Sequence, residues 1–310
     1  MKKTAVSLPA ASTDAATWTL LALLACYFVW GSTYLAIRFA LESFPPFWQM
    51  GTRFLLAGGL LMGWVHWRCD ALPTARQWGH AAVIGTLMLA LGMGLVAVAS
   101  QHVGSGLIAT FIAVVPLVVC AWGLLFGRRP SRTELLGMAV GLGGVLLLAR
   151  GGSFAAAPAG LAAMATAVSA WSLGSVLATT RLPLAPGAAG FASEMLCGGA
   201  VLLAISLALG EQPAWPPTPR ALAAWVYLTL FGSLVAFSAY LYLLAHASPA
   251  LATSYAFVNP VIALLLGVAL GGESVTTGEW VASGVVLAGV LLILLARRRP
   301  APSEKQQPQA

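Results

Sequence analysis

Apolar residues gather along this chain into ten long runs with short polar gaps between them. The runs cover roughly 18–38, 46–66, 78–98, 104–126, 133–149, 159–179, 188–209, 221–243, 250–270 and 278–296. Each is close to the ~20 residues that a helix needs to cross the hydrocarbon of a bilayer. Many gaps carry Gly, Pro or charge, as in "GRRPSRTE", "LPLAPG" and "EQPAWPPTPR". No gap could hold a soluble domain. The pattern predicts an all-α integral membrane protein of ten transmembrane helices, with polar tails at 1–17 and 298–310.

Composition supports a lipid-solvated body. Hydrophobic residues make up 59% of the 310 and charged residues only 8%, against about 25% charged in soluble proteins. The net charge of +7 does not point to nucleic acid. The basic residues form no stripe with interleaved aromatics. They sit in tails and gaps, as a positive-inside signal would place them. With the N-terminus in the cytosol, Lys2, Lys3, Arg68, Arg76, Arg128, Arg129, Arg132, Arg181, Arg297, Arg298, Arg299 and Lys305 fall inside. Only Arg38, Arg150 and Arg220 fall outside. Both termini are therefore expected in the cytoplasm. The N-terminal stretch has two lysines but no continuous apolar core like that of a signal peptide. Cys26, Cys69, Cys120 and Cys197 show no metal or disulfide spacing, and no cofactor or metal is expected.

The chain also repeats itself. "HVGSGLIATFIAVVP" (102–116) aligns with "HASPALATSYAFVNP" (246–260) at an offset of 144. Trp30 aligns with Trp171, Arg53 with Glu194 and Gly58 with Gly199 at an offset of 141. The repeats are 18–150 and 159–297. Each holds five runs, an odd number, so the second half enters the membrane upside down. Inverted repeats recur in secondary transporters, with the site at the repeat interface.

The segments "WGSTYLAIRFALESFPPFWQMGTRFLLAGGLL" (30–61), "ATFIAVVPL" (109–117), "EML" (194–196) and "SYAFVNPVIALLLG" (254–267) resemble the EamA family of the drug/metabolite transporter superfamily. The first segment and Glu194 resemble its YedA-like branch in particular. The resemblance spans about 18–297. It implies a ten-span permease of the bacterial inner membrane, from a family whose members export amino acids and other small metabolites. It further implies that spans 1, 3, 4, 6, 8 and 9 line a central cavity, with 5 and 10 at the periphery.

Several residues could carry the chemistry. Pro116 and Pro260 sit mid-run at equivalent positions of the two repeats. Each removes a backbone hydrogen bond, making a helix break or gate, or a packing kink. Asn259 has no counterpart, since Val115 stands at its repeat position. Its amide suits a ligand, or glue between helices. Trp30 and Tyr34 in span 1, Trp171 in span 6, Phe237 and Tyr240 in span 8, and Phe111 with its repeat equivalent Tyr255 are candidate cavity walls. Aromatic walls with a few polar groups are the usual lining of a small-molecule pocket.

Arg53 and Glu194 are the charges deepest in the runs. A charge there costs at least ~2.5 kcal/mol and is a functional hypothesis by default. The inverted topology places them near opposite faces, ~10 Å apart along the membrane normal. A direct salt bridge is not expected. Glu194 is the one candidate for a proton-coupling carboxylate, with structural anchoring as the alternative.

These features favour a secondary transporter that exports a small polar or amphipathic metabolite by alternating access. Its partners are a small-molecule substrate and the bilayer, and monomer and dimer stay open. A membrane-embedded enzyme would need paired acids, an activated Ser or a metal cluster, which the sequence lacks. A lipid or lipid-carrier flippase on the same fold is the alternative. No Gly-rich phosphate loop is present to support ATP-driven transport.

Overall fold

The computed structural model describes residues 13–127, 131–150, 157–247 and 254–297. Residues 1–12 and 298–310, the Arg128–Arg129 pair and the start of the 250–270 run lie outside them, and the last five residues of the expected N-terminal tail, 13–17, are helical. The regular structure of the described residues is all helix, with no strand. Their helices join into ten rods: α1 (13–40), α2 (Pro46–Trp67), α3 (75–99), α4 (105–125), α5 (Arg132–Ala149), α6 (Pro158–Thr180), α7 (Ala188–Ala208), α8 (219–246), α9 (Tyr255–Gly271) and α10 (Thr277–Arg297). Six stretches among the described residues are long and apolar enough to cross a membrane: Thr17–Ala40, Ala75–Ala99, Ser105–Leu125, Pro158–Thr180, Ala188–Ala208 and Pro219–Leu243.

The rods start and stop where local chemistry dictates. Thr74 and Ser131 form capping boxes with Gln77 and Glu134 at the heads of α3 and α5, each satisfying two orphan backbone donors. Pro46, Pro158 and Pro219 occupy first-turn positions, where the missing N–H has no helical partner to lose. Gly272, in the left-handed region at φ 60°, ends α9.

The molecule is sorted inside out. Leu125 and Leu207 are 74% and 73% exposed, and Leu142, Leu146, Leu265 and Leu270 are exposed too. Gln49, Arg53, Ser172, Ser193, Glu194, Ser233 and Asn259 are buried. Water would not favour this arrangement, because exposed leucine surface at this density is an interaction liability. Lipid favours it.

Cross-half contacts build the core. α2 packs on α7, α5 on α10, and α4 on α9; α1 packs on α8 and α9, while α6 packs on α3 and α4. This set of pairs maps onto itself when each rod is exchanged with the one five places along. α2 and α7 cross antiparallel. Gly51 faces Leu203, while Gly58, two turns later, faces Met195 and Ala192. A Cβ on Gly199 would stand 2.9 Å from Leu55 N, so the two backbones meet only because glycine is there.

One end of the bundle is tied across the halves by three carboxylates. Glu273, after α9, accepts from Arg38 Nη1 at 2.7 Å and from Ser105 N and Gly106 N at the head of α4 at 2.7 and 3.2 Å. Glu211, after α7, accepts from Phe47 N and Trp48 N at the head of α2. Glu42, after α1, pairs with Arg220 on α8, whose Nε lies 3.0 Å away. Toward the opposite end, the cross-half hydrogen bonds include Tyr27 Oη with Ser254 Oγ, His80 Nδ1 with Pro183 O, and Trp122 Nε1 donating to Ser169 O.

Candidate functional site

Three rods are interrupted by π-helical turns: Ala25–Val29 in α1, Thr86–Met93 in α3 and Leu228–Val235 in α8. A π turn widens the helix and disturbs its hydrogen-bond ladder, and such turns gather at functional sites. Those of α3 and α8 occupy equivalent places in the two repeats. Each receives a tryptophan from the other half. Trp30 Nε1 donates to Gly232 O at 3.2 Å. The Trp171 ring presses on Gly92, where a Cβ would be 3.0 Å from it.

Around Trp30 the structure gathers three other sequence-nominated residues. Its ring centroid lies 5.5 Å from Phe237, 5.5 Å from Tyr240 and 4.8 Å from Tyr255. Tyr240 and Tyr255 stand edge to face at 5.7 Å. The cluster joins α1, α8 and α9, and so both halves. Phe237 continues it to Phe191 on α7, 5.0 Å away. Both phenylalanines line a cavity of about 700 Å³ between α2, α7 and α8. Leu60, Trp64, Leu234 and Leu241 form its apolar walls, with Asp70 and Ser238 as the polar groups.

The remaining nominees fall elsewhere. Tyr34 is one turn beyond Trp30 and packs with Phe111 and Trp171 into the larger core. Trp171 makes no ring contact with the Trp30 cluster among the described residues. The candidates therefore divide into a cross-half cluster at Trp30 and a group in the adjoining core that holds Phe111 and Trp171, with Tyr34 on the same helix as Trp30.

Asn259 is 6% exposed and faces two carbonyls, Tyr27 O and Tyr255 O. Two acceptors on one side assign the NH₂ to that side, and it donates to both at 3.2 Å. Tyr27 lies in the α1 π turn and its carbonyl also accepts from Trp30 N, so the amide adds a second donor there and ties α9 to α1. Both prolines occupy interior positions, but their effects differ. α4 breaks into Ser105–Ile112 and Val115–Leu125, with Pro116 in the first turn of the second piece. α9 runs unbroken from Tyr255 to Gly271 through Pro260. Pro260 lies one turn into its helix, so the ring meets only the first-turn carbonyl, where the backbone can shift. Ser172 Oγ of α6 donates to Val115 O beside the α4 break, at 3.4 Å.

Arg53 and Glu194 are 3% and 5% exposed and form no ion pair among the described residues. Arg53 Nε donates to Ser233 Oγ at 2.9 Å, within the α8 π turn, and Nη1 approaches Met50 Sδ at 3.8 Å. Its guanidinium lies against Gly232, the residue whose carbonyl holds Trp30. Among the described residues, no hydrogen bond or ion pair reaches the Glu194 carboxylate. Sequence reasoning missed Gln49. Gln49 is 1% exposed and precedes Arg53 by one turn, and neither of its amide atoms has a partner among the described residues. A polar residue four places from the deepest cation was the available signal.

Comparison with known proteins adds to this geometry. Residues 17–150 and 158–295 each match the model of the EamA-like transporter family. The chain is 44% identical over 277 residues to "Uncharacterized inner membrane transporter YedA" of Escherichia coli (strain K12), covering 89% of this chain and 90% of that protein. It is 26% identical over 287 residues to Protein PecM of Dickeya dadantii, covering 89% and 94%. It is 25% identical over 289 residues to a chloroplastic WAT1-related protein of Arabidopsis thaliana, covering 89% and 69%. A solved crystal structure, 21% identical, superposes with a TM-score of 0.62 over 92% of this chain and 99% of its own, a likeness of fold.

Proposed function

Because the chain belongs to the EamA-like transporter family, we propose that it is an inner-membrane secondary transporter, exporting a small amphipathic metabolite by alternating access. The observation that carries this reading is the cross-half cluster of Trp30, Phe237, Tyr240 and Tyr255, set against π turns inside an apolar-surfaced body. Rings there can hold an apolar body, while buried polar groups hold a head. No catalytic role is assigned to any residue.

All ten rods span the bilayer in this reading, as two inverted five-helix halves. The closed set of rod pairs and the antiparallel crossing of α2 with α7 support it, as does the family model's match to two stretches. The positive-inside bias puts both termini in the cytoplasm. The carboxylate-tied end then faces out, and the present conformation is closed there. Rocking of the halves would separate that end and close the other around the Trp30 cluster, with the α4 break and α9 as moving parts.

The cavity between α2, α7 and α8 favours one second reading. Its apolar walls include the exposed Leu60 and Trp64, as a lateral entry for a lipid-like molecule would require. Efflux of labelled amino acids and other metabolites from proteoliposomes, with and without a pH gradient, separates the two. Solute flux supports the exporter. Lipid scrambling with no flux of any small solute overturns it in favour of a flippase.

A further inference from the structure

We propose that Arg53 and Gln49 form the anchor for a carboxylate on the transported molecule, an inference that rests on the transporter reading. The two residues are four apart on α2 and therefore share a face. Both are more than nine-tenths buried. Arg53 has five N–H donors; Nε meets Ser233 Oγ and Nη1 meets only a thioether. No acid pairs with it among the described residues. Glu42, Glu211 and Glu273 are committed to the tied end, and Glu194 makes no contact with it.

A buried cation is retained only if something compensates its charge. Ser233 and Met50 are neutral, and the Phe54 ring face, 4.9 Å from Cζ, is a weak partner. The buried Gln49 amide, one turn away on the same face of α2, is a second group without a partner among the described residues and points to a polar ligand. A carboxylate would satisfy both, because the guanidinium fork matches its two oxygens and the amide supplies a further N–H.

The position also suits an amphipathic substrate. Gly232 stands between Arg53 and Trp30, touching the guanidinium on one side and accepting from the indole through its carbonyl. A carboxylate on Arg53 therefore leaves an attached ring or aliphatic chain beside the Trp30 cluster. The Gln49 amide is closed off from solvent here, so the anchor is reached in another state of the cycle.

The test uses purified full-length protein in detergent and three probes: phenylalanine, indole-3-acetate and benzoate. Each is compared with its primary amide. At least one acid should raise Tm by about 3 °C or more where its amide does not. Arg53→Met should abolish that shift, Arg53→Lys should weaken apparent affinity about tenfold, and Gln49→Leu should weaken it while the protein stays folded. Without ligand, Arg53→Met should melt no lower than the parent, because a cation kept for binding does not hold the fold together. The proposal is overturned if no acid shifts Tm, if amides shift it equally, or if apo Arg53→Met melts well below the parent. Binding without flux in the proteoliposome assay would overturn the transporter reading and leave the anchor standing.

Discussion

Arg38 Nη1 stands 2.7 Å from Glu273 Oε1, joining the end of α1 to the turn after α9 across 235 residues of chain. The same carboxylate caps the first turn of α4. A charge at a helix head is favourable because the orphan N–H groups there carry partial positive charge. Glu273→Gln should therefore destabilise the protein by ~2 kcal/mol, and thermal melting in detergent measures it. A Tm equal to the parent's would show that the tie contributes nothing to stability.

The same residue fixes a pH dependence. Burial pushes the Glu273 carboxyl up, but hydrogen bonds from Ser105, Arg38 and Gly106 outweigh it and hold the group below the ordinary glutamate value. The folded state thus binds its proton less readily than the unfolded state. The stabilisation is complete above the ordinary value, about 4.3, and is lost as pH falls through the lower folded value. Tm should be flat from about pH 5 to 8 and fall below about pH 4. Part of that acid limb should vanish in Glu273→Gln. A parent that loses this stabilisation near pH 6 would contradict the assignment.

Asn259→Ala removes two donations, to Tyr27 O and Tyr255 O, and with them the side-chain tie from α9 to the α1 π turn. The expected cost is ~1–3 kcal/mol in stability, with slower transport because α9 is untied from α1. Unchanged efflux by this variant would remove Asn259 from the site.

Trp30→Phe keeps a ring against Phe237, Tyr240 and Tyr255 but deletes the donation to Gly232 O. Trp30→Ala deletes both. If the cluster holds the substrate, KM should rise modestly in the first and about tenfold or more in the second, from lost aromatic contact. Equal KM values in both variants would place the substrate elsewhere.

Gly199→Leu puts a side chain where the backbones of α2 and α7 nearly touch, with a Cβ 2.9 Å from Leu55 N. Neither backbone can yield without separating the halves. Overpacking of this kind costs about 1–3 kcal/mol or more, read as lower Tm and poorer yield. Gly59→Leu, with open space around it, is the control and should be silent.

Much of this was legible in residue order, for a physical reason. Lipid imposes run length and forbids buried charge, so the rods and the depth of Arg53 and Glu194 follow from counting. The inverted register also argued against a bond between those two, and they form none. Pro116 marked a break that α4 has. Pro260 did not break α9, because the helix begins only one turn earlier. The π turns left no mark in composition, since "ACYFV" and "TLMLALGM" read as ordinary helix. Glu273 looked like part of a polar gap. Its partners Arg38 and Ser105 lie 235 and 168 residues away, and no periodicity reports a contact of that range.

The unequal fastening of the two ends has a mechanical consequence. A rod of about 20 residues is a lever of about 30 Å. If the carboxylate-tied end serves as fulcrum, a tilt of about 10° carries the far tip through about 5 Å. That stroke is wide enough to admit a planar ring edge-on. Moving the fulcrum to the other end requires all three acids to let go, so the slow stroke of the cycle should be the one that parts Glu273, Glu211 and Glu42 from their donors.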